Sequence, residues 1–119
     1  MILETLKDHK DCSRSLLAIR DAMELLNGKW KIPILGALIY IKTARFAELQ
    51  KMIGNITPRM LSKELKELEF NRLVERKVVS TQPIAIEYEI TPHGESCEVI
   101  LKALEQWGNM HRKEIIGND

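Results

Sequence analysis

The sequence has little of what stabilises secreted or membrane proteins. Its 119 residues include 2 cysteines, too few for the disulfide framework of a small secreted domain. It contains no run of about 18 apolar residues, so no transmembrane helix is predicted. The first residues soon become charged, without the apolar stretch of a secretory signal peptide. We therefore expect a cytoplasmic protein with no membrane partner.

The spacings typical of metal and catalytic sites are missing as well. The histidines stand singly at His9, His93 and His111, and no Cys-x-x-Cys pair occurs, so no structural metal is expected. No carboxylate lies in a pattern with a nucleophile or a glycine-rich loop, which leaves an enzyme without support. We expect neither a catalytic residue nor a cofactor.

The overall charge is nearly balanced, but its distribution along the chain is not. The net charge is +1, with 18 Lys and Arg against 17 Asp and Glu. Between Lys29 and Lys77 there are 11 Lys and Arg against 5 Glu, whereas the rest of the chain is acidic. A basic middle indicates a surface that meets a polyanion. Chance clustering is the alternative.

The segment from Thr57 to Leu68 has the clearest amphipathic pattern. Thr57 fits the N-cap of a helix and Pro58 its first position, where a missing N–H costs nothing. The apolar residues recur at helical spacing, at Leu61, Leu65 and Leu68. Another side carries Arg59, Ser62, Lys63 and Lys66. Such a helix can bury its leucines and lie in a DNA major groove. The alternative is a solvated surface helix in which Lys63 pairs with Glu67.

Three further helices are predicted before this segment. Residues 13–26 have apolar positions at helical spacing, with Asp11 or Ser13 as the cap. A strongly apolar second helix starts near Lys29, and residues 46–53 form a short third helix. A brief glycine-containing turn joins the third helix to the Thr57 helix, which is the helix-turn-helix arrangement.

After residue 70 the pattern changes to that of strands. Residues 73–79 are rich in β-branched side chains, and residues 84–90 alternate between apolar and polar, so each segment predicts a strand. Residues 80–83 carry turn chemistry. This β-hairpin would be a wing beside the helix-turn-helix. Thr91 and Pro92 then begin a last helix that extends to about Ile115.

The element order α-α-α-α-β-β-α predicts an α+β winged helix-turn-helix fold. We expect one domain over residues 1–119, with an ordered core of about residues 12–110. The terminal helices have more apolar positions than one small core needs, at Ile2, Leu3, Leu6, Leu16, Leu17, Leu101, Leu104 and Trp107. This surplus predicts that the terminal helices form a homodimer interface.

An ordered series of motifs extends over most of the chain, from Cys12 to about Met110. The motifs are Cys12, Gly28-Lys29-Trp30, Arg45-Phe46-Ala47-Glu48-Leu49, Ile56-Thr57-Pro58-Arg59-Met60-Leu61-Ser62, Leu65 with Leu68-Glu69, Leu73-Val74-Glu75-Arg76, Glu87-Tyr88 and Thr91-Pro92-His93-Gly94. In this series the chain resembles the HxlR family of winged-helix transcriptional regulators, which is related to the MarR group. The resemblance implies a homodimer on a pseudo-palindromic operator. It also implies a recognition helix from Thr57 to about Phe70 in the major groove and a wing at the adjacent minor groove.

Two positions depart from the usual pattern of this family. The wing stretch from Pro83 to Tyr88 has no basic residue, where family members often carry an arginine. An arginine inserted from this wing into the minor groove is therefore not expected. Ser13 follows Cys12, where many members have a proline.

The candidate DNA-binding residues are Arg45, Thr57, Arg59, Ser62, Lys63, Lys66, Arg76 and Lys77. Arg59 is expected to contact a base edge, because the first turn of a recognition helix usually does. Lys63 and Lys66 are expected to contact phosphates, with partial base reading as the alternative. Phosphate contacts are also expected of Lys29, Arg45, Arg76 and Lys77, with a solvated charge as the alternative for these four. Trp30 is interpreted as a core residue rather than a stacking platform for single strands.

The two cysteines have different predicted roles. Cys12 resembles the N-terminal cysteine with which some family members sense oxidants, quinones or aldehydes, and Arg14 beside it would favour a reactive thiolate. An inert surface or interface cysteine is the alternative. Cys97 lies among apolar residues, which predicts a buried and unreactive thiol.

The sequence thus predicts a transcriptional regulator that binds double-stranded DNA as a homodimer and represses a nearby promoter, under an unidentified effector. Two alternatives remain open. One is a winged-helix protein-interaction module without DNA binding, and the other is a thiol-based redox or electrophile sensor acting through Cys12.

Overall fold

The computed structural model describes residues 9–117. The helices are α1 (His9–Leu25), α2 (Lys31–Ile41), α3 (Phe46–Ile53), α4 (Pro58–Phe70), α5 (Pro92–Glu95) and α6 (Glu98–Ile116). The strands are β1 (Thr43–Ala44), β2 (Val74–Thr81) and β3 (Ile84–Ile90), which form an antiparallel sheet in the order β1-β3-β2. Helices α3 and α4 are the helix-turn-helix and strands β2 and β3 the wing, so the predicted fold class is confirmed.

Helix α2 is the centre of the core. Its Ile34, Leu35 and Leu38 are completely buried. The core is completed by leucines of α3 and α4 and by residues at the base of the wing, namely Leu49, Leu61, Leu65, Leu68, Leu73, Val74 and Ile90. Truncating one such leucine to alanine costs about 2–5 kcal/mol, so this packing contributes much of the free energy that holds α4 in the core.

The start of α4 and the turn before α2 show how single residues fix the local backbone. The backbone N–H of Met60 donates to Thr57 Oγ1 at 3.1 Å, and Pro58 is the first helical residue. Gly28 has φ +81°, a left-handed conformation that glycine adopts without steric cost. The cap at Thr57 and the proline at the first helical position are as predicted from the sequence.

The predicted last helix is wrong in one respect, because it is divided into α5 and α6. Thr91 Oγ1 accepts a hydrogen bond from the N–H of Gly94 at 2.9 Å, as expected of an N-cap. A Cβ on Gly94 would lie 2.1 Å from the carbonyl oxygen of Leu73. Only glycine allows this close approach, which places α5 against the start of β2, and the chain turns at Ser96 and Cys97 before α6 begins.

Three other predicted boundaries need correction. Helix α1 already includes His9, so Asp11 and Ser13 lie within it and neither is its cap. Strand β2 continues through Thr81, leaving only Gln82 and Pro83 as the turn of the wing. The two-residue strand β1 was absent from the expected order. It forms because Thr43 and Ala44 pair with β3, and two residues are too few to show the alternating pattern of a strand.

The two long terminal helices expose their apolar side chains. From Lys10 onward α1 contains no buried residue, and neither does α6. The exposed side chains include Leu16, Leu17, Ile19 and Met23 on α1 and Val99, Ile100, Leu104, Trp107, Met110, Ile115 and Ile116 on α6. Ile2, Leu3 and Leu6, which belong to the same prediction, lie outside the described residues. No helix within residues 9–117 is both long and apolar enough to span a bilayer.

Candidate nucleic-acid interface

The exposed face of α4 brings together four of the residues predicted from the sequence. Arg59, Ser62, Lys63 and Lys66 line a shallow depression of about 460 Å³, together with Glu67. Their spacing places them on one side of a helix. The opposite side of α4 is held in the core by its leucines, so the basic face points outward.

Two of the three cations on this face have no acidic partner in the described part of the chain. Within residues 9–117, neither Arg59 nor Lys66 has a carboxylate within 4.0 Å, the limit for a salt bridge. Lys63 forms the expected pair with Glu67, with 3.4 Å between Lys63 Nζ and Glu67 Oε2. The Lys63 side chain is still 62% exposed, so this pair leaves it on the same surface.

The wing carries its charges differently. Glu75, Lys77, Glu87 and Glu89 share one face of the hairpin, because side chains alternate along each strand and these residues stand opposite one another. Lys77 forms ion pairs with Glu89 and, at 3.9 Å, with Glu75. The hydrogen bond to Glu89 raises the pKa of Lys77 above its ordinary value. This face is therefore acidic overall.

Arg45 and Arg76 occupy different surroundings near the wing. Arg45 precedes α3, and its backbone N–H donates to Glu48 Oε1 at 2.8 Å. Its Nε lies 3.9 Å from Glu87 Oε2 on the wing. Arg76 is exposed on the hairpin face opposite Lys77, and it has no ion pair within residues 9–117.

Sequence reasoning missed a buried charged cluster beneath α4. Lys31 of α2 is 2% exposed, and its Nζ donates to Glu64 Oε1 at 2.7 Å and to Glu67 Oε1 at 2.6 Å. Asn27 Oδ1 accepts a third hydrogen bond from Lys31 at 3.0 Å. Glu64, on the inward side of α4, is only 4% exposed.

The charges of this cluster stabilise one another. Burial lowers the pKa of Lys31, but the hydrogen bonds and charges of Glu64 and Glu67 outweigh it, so the pKa is raised above its ordinary value. The hydrogen bond from Lys31 is the main cause that lowers the pKa of Glu67. The sequence contained a signal of this cluster. Lys31 is spaced from Ile34 and Leu35, and Glu64 from Leu61 and Leu68, as residues on the same buried side of a helix.

Comparison with known proteins agrees with the motifs and the fold. The chain matches the HxlR-like helix-turn-helix family over residues 25–115. The chain belongs to this family. It is similar to the HTH-type transcriptional regulator YtcD of Bacillus subtilis strain 168, with 36% identity over 102 residues that cover 86% of this chain and 80% of that protein.

Solved structures of a MarR-family transcriptional regulator and of a redox regulator share this architecture. A transcriptional regulator of the MarR family from Enterococcus faecalis V583 has a TM-score of 0.73 and 32% identity, covering 85% of this chain and 91% of that one. The redox regulator HypR in its reduced form has a TM-score of 0.71 and 31% identity, covering 85% and 99%. The predicted resemblance and the interpretation as a helix-turn-helix transcriptional regulator are confirmed.

The remaining candidate residues of this HxlR-family chain belong to segments other than α4. Trp30 packs against the core, with Lys29 Nζ 4.8 Å from its ring centre, as a core residue would. Cys12 is half-buried in the first turn of α1. Cys97 is buried, as predicted, and burial raises the pKa of its thiol.

Proposed function

We propose that this HxlR-family regulator binds operator DNA through α4 and represses the adjacent promoter. The observation that carries the proposal is the outward face of α4, where Arg59 and Lys66 have no carboxylate partner within residues 9–117 and Lys63 stays exposed. Arg59 in the first turn would contact a guanine edge in the major groove, and Lys63 and Lys66 would contact phosphates. Ser62 lies between them and would contact a base or a phosphate.

The flanking candidates would add contacts to the DNA backbone. Thr57 caps α4 beside backbone N–H groups that can meet a phosphate. Arg45, Arg76 and Lys77 would take phosphates on either side of the groove. Lys77 and Arg45 already face carboxylates, so we expect them to contribute less than the residues of α4.

The same proposal includes a homodimer formed by α1 and α6. An apolar groove of about 560 Å³ lies between α1, the start of α2 and α6, and its lining includes Ile19, Met23, Leu26, Ile32, Ile100 and Leu104. Exposed apolar surface of this kind usually marks an interface. A two-fold dimer would present its two α4 helices to successive major grooves, about 34 Å apart on B-DNA.

The test starts from a randomised duplex library, because the operator is unknown. Wild-type protein should select a sequence with two-fold symmetry, bind it as a dimer in sedimentation, and lose affinity steeply as salt rises. Placed between a promoter and a reporter, the selected duplex should lower transcription when the protein is present. A monomer that selects no sequence would instead favour the protein-interaction module.

A thiol sensor is the second candidate function. Cys12 is partly accessible and lies on α1, the helix proposed to form the dimer, and the structurally similar HypR is a redox regulator. An adduct on Cys12 would sit at that interface and could shift the two α4 helices. Wild-type protein and Cys12→Ser should be compared for release of the selected duplex by diamide, and equal release would remove Cys12 from the mechanism.

A further inference from the structure

A continuous chain of hydrogen bonds leads from the end of α1 to the outward face of α4. Asn27 Nδ2 donates to the carbonyl oxygen of Glu24 in the last turn of α1, at 2.9 Å. Asn27 Oδ1 accepts from Lys31 Nζ, which also donates to Glu64 and Glu67 of α4. The second carboxylate oxygen of Glu67, Oε2, forms an ion pair with Lys63 Nζ at 3.4 Å.

The turn between α1 and α2 covers this cluster closely. A Cβ on Gly28 would lie 3.6 Å from Glu64 Oε2, so the backbone of the turn lies against the carboxylate that Lys31 holds. No buried side-chain nitrogen or oxygen within residues 9–117 lacks a hydrogen-bond partner. The buried polar side-chain atoms of the cluster therefore all have hydrogen-bond partners in this arrangement of α1, α2 and α4.

Stability alone does not explain why charges occupy these positions. Replacing a buried ion pair by apolar residues of similar volume is often neutral or stabilising, because two charges no longer have to leave water. The apolar residues that α2 and α4 contribute to the buried core are leucines and one isoleucine. Apolar contacts tolerate sliding and rotation, whereas hydrogen bonds at 2.6 and 2.7 Å define a position and a direction.

Glu67 shows how the cluster also affects the outward face. It lines the same depression as Arg59 and Lys66. Its Oε1 is 2.6 Å from the buried Lys31, while its Oε2 is 3.4 Å from Lys63. Lys31 thus binds this carboxylate from the core side of α4. Arg59 and Lys66, on the exposed side, have no carboxylate partner within residues 9–117 and can meet DNA.

We propose that Lys31 is a positioning residue for α4. Through Glu64 and Glu67 it sets the rotation and axial position of the helix relative to the turn after α1, and so the place of Arg59 in the groove. The inference rests on the proposed DNA binding. It predicts that removing the cluster impairs the choice of sequence more than the affinity for DNA in general.

The test variant is Lys31→Met with Glu64→Leu. The double change removes one charge of each sign, so the net charge and general attraction to DNA are kept, and no unpaired charge is left buried. The matched control is Lys42→Met with Glu95→Leu, which breaks another 2.8 Å ion pair at the far end of α2, between exposed side chains. Thermal unfolding should show both proteins folded.

Binding is measured to the duplex selected by wild-type protein and to a scrambled duplex of equal composition. The test variant should bind the selected duplex about tenfold more weakly, with binding to the scrambled duplex within about twofold of wild type. The control should match wild type on both duplexes. A folded test variant with the wild-type ratio of the two affinities would overturn the inference.

Glu67→Gln provides a second test should the double variant not fold. The Glu67 side chain is 42% exposed, so this change leaves the core intact while weakening the tie to Lys31. Its control is Glu69→Gln, the same charge change on α4. The affinity for the selected duplex divided by that for the scrambled duplex should fall more in Glu67→Gln than in Glu69→Gln. Equal ratios in the two variants would overturn the inference. Wild-type protein that does not distinguish the two duplexes would refute the DNA-binding proposal itself.

Discussion

Helix α4 and the wing extend from the same core, yet Lys66 on the helix and Lys77 on the wing stand in opposite electrostatic surroundings. On α4, Arg59 and Lys66 have no carboxylate partner within residues 9–117, and Glu67 is drawn inward by Lys31. On the wing, Lys77 is bound by Glu89 and lies near a second carboxylate. A cation that already has an acidic neighbour must give up that attraction to meet a phosphate.

The difference teaches that a count of basic residues does not measure a DNA-binding surface. The basic middle of the sequence includes both α4 and the first half of the wing, but the tertiary pairing neutralises Lys77 and leaves Arg59, Lys66 and Arg76 without a carboxylate partner within residues 9–117. We therefore expect α4 to supply most of the binding free energy and the wing rather little. The predictions below test this division, beginning with the largest expected effect.

Arg59→Ala should have the largest effect on sequence-specific binding. Loss of a two-hydrogen-bond contact to guanine costs about 1–3 kcal/mol and relaxes the preference at that base pair. Affinity for the scrambled duplex should change much less. Titrations of both duplexes by fluorescence anisotropy measure this, and an equal loss on both would place Arg59 on the phosphates instead.

Lys66→Ala should weaken binding to every duplex by a similar factor. A lysine that contacts one phosphate contributes about one unit to the slope of log affinity against log salt. The slope is obtained from binding at several salt concentrations. A change confined to the selected duplex would mean that Lys66 contacts a base.

Ile84→Arg should strengthen binding modestly by placing a cation near the tip of the wing, where residues 80–83 carry none. Ile84 is 73% exposed near the tip of the hairpin, so the new side chain meets no core residue. The salt slope should rise by about one unit. Ile84→Gln is the uncharged control, and no gain in Ile84→Arg over this control would show that the wing lies away from DNA.

Lys77→Ala should change DNA affinity less than Lys66→Ala does. Glu89 already neutralises Lys77, so its removal takes little positive charge from the interface. The same salt-dependent titrations allow the two variants to be compared directly. A loss as large as that of Lys66→Ala would contradict the division between helix and wing.

The smallest effect concerns the acid sensitivity of the Lys31 cluster. The pKa of Glu67 is lowered in the folded protein, so its stabilising contribution is present above the unfolded value of about 4.3. That contribution is lost as the pH falls through the lower, folded value. Urea midpoints between about pH 6 and pH 3 should fall more steeply in wild type than in Glu67→Gln. Parallel pH profiles would show that Lys31 does not stabilise the charged form of Glu67.

Much of the helix-turn-helix was predictable because its determinants are local. The spacing of Leu61, Leu65 and Leu68, the cap at Thr57 and the proline after it all act within one or two helical turns. The exposed basic set on α4 follows from the same periodicity. The division of the last helix was not predictable, because Gly94 is constrained by the Leu73 carbonyl from another element.

The sequence by itself determined the helix-turn-helix, the wing and the family, since periodicity, capping residues and ordered motifs are properties of neighbouring positions. Only the tertiary structure decided which cations are free and which are neutralised. Lys31 meets Glu64 and Glu67, and Lys77 meets Glu89, only after α2, α4 and the strands have packed together. Ion pairs of this kind depend on distances in space, and these distances are set by the burial of the core.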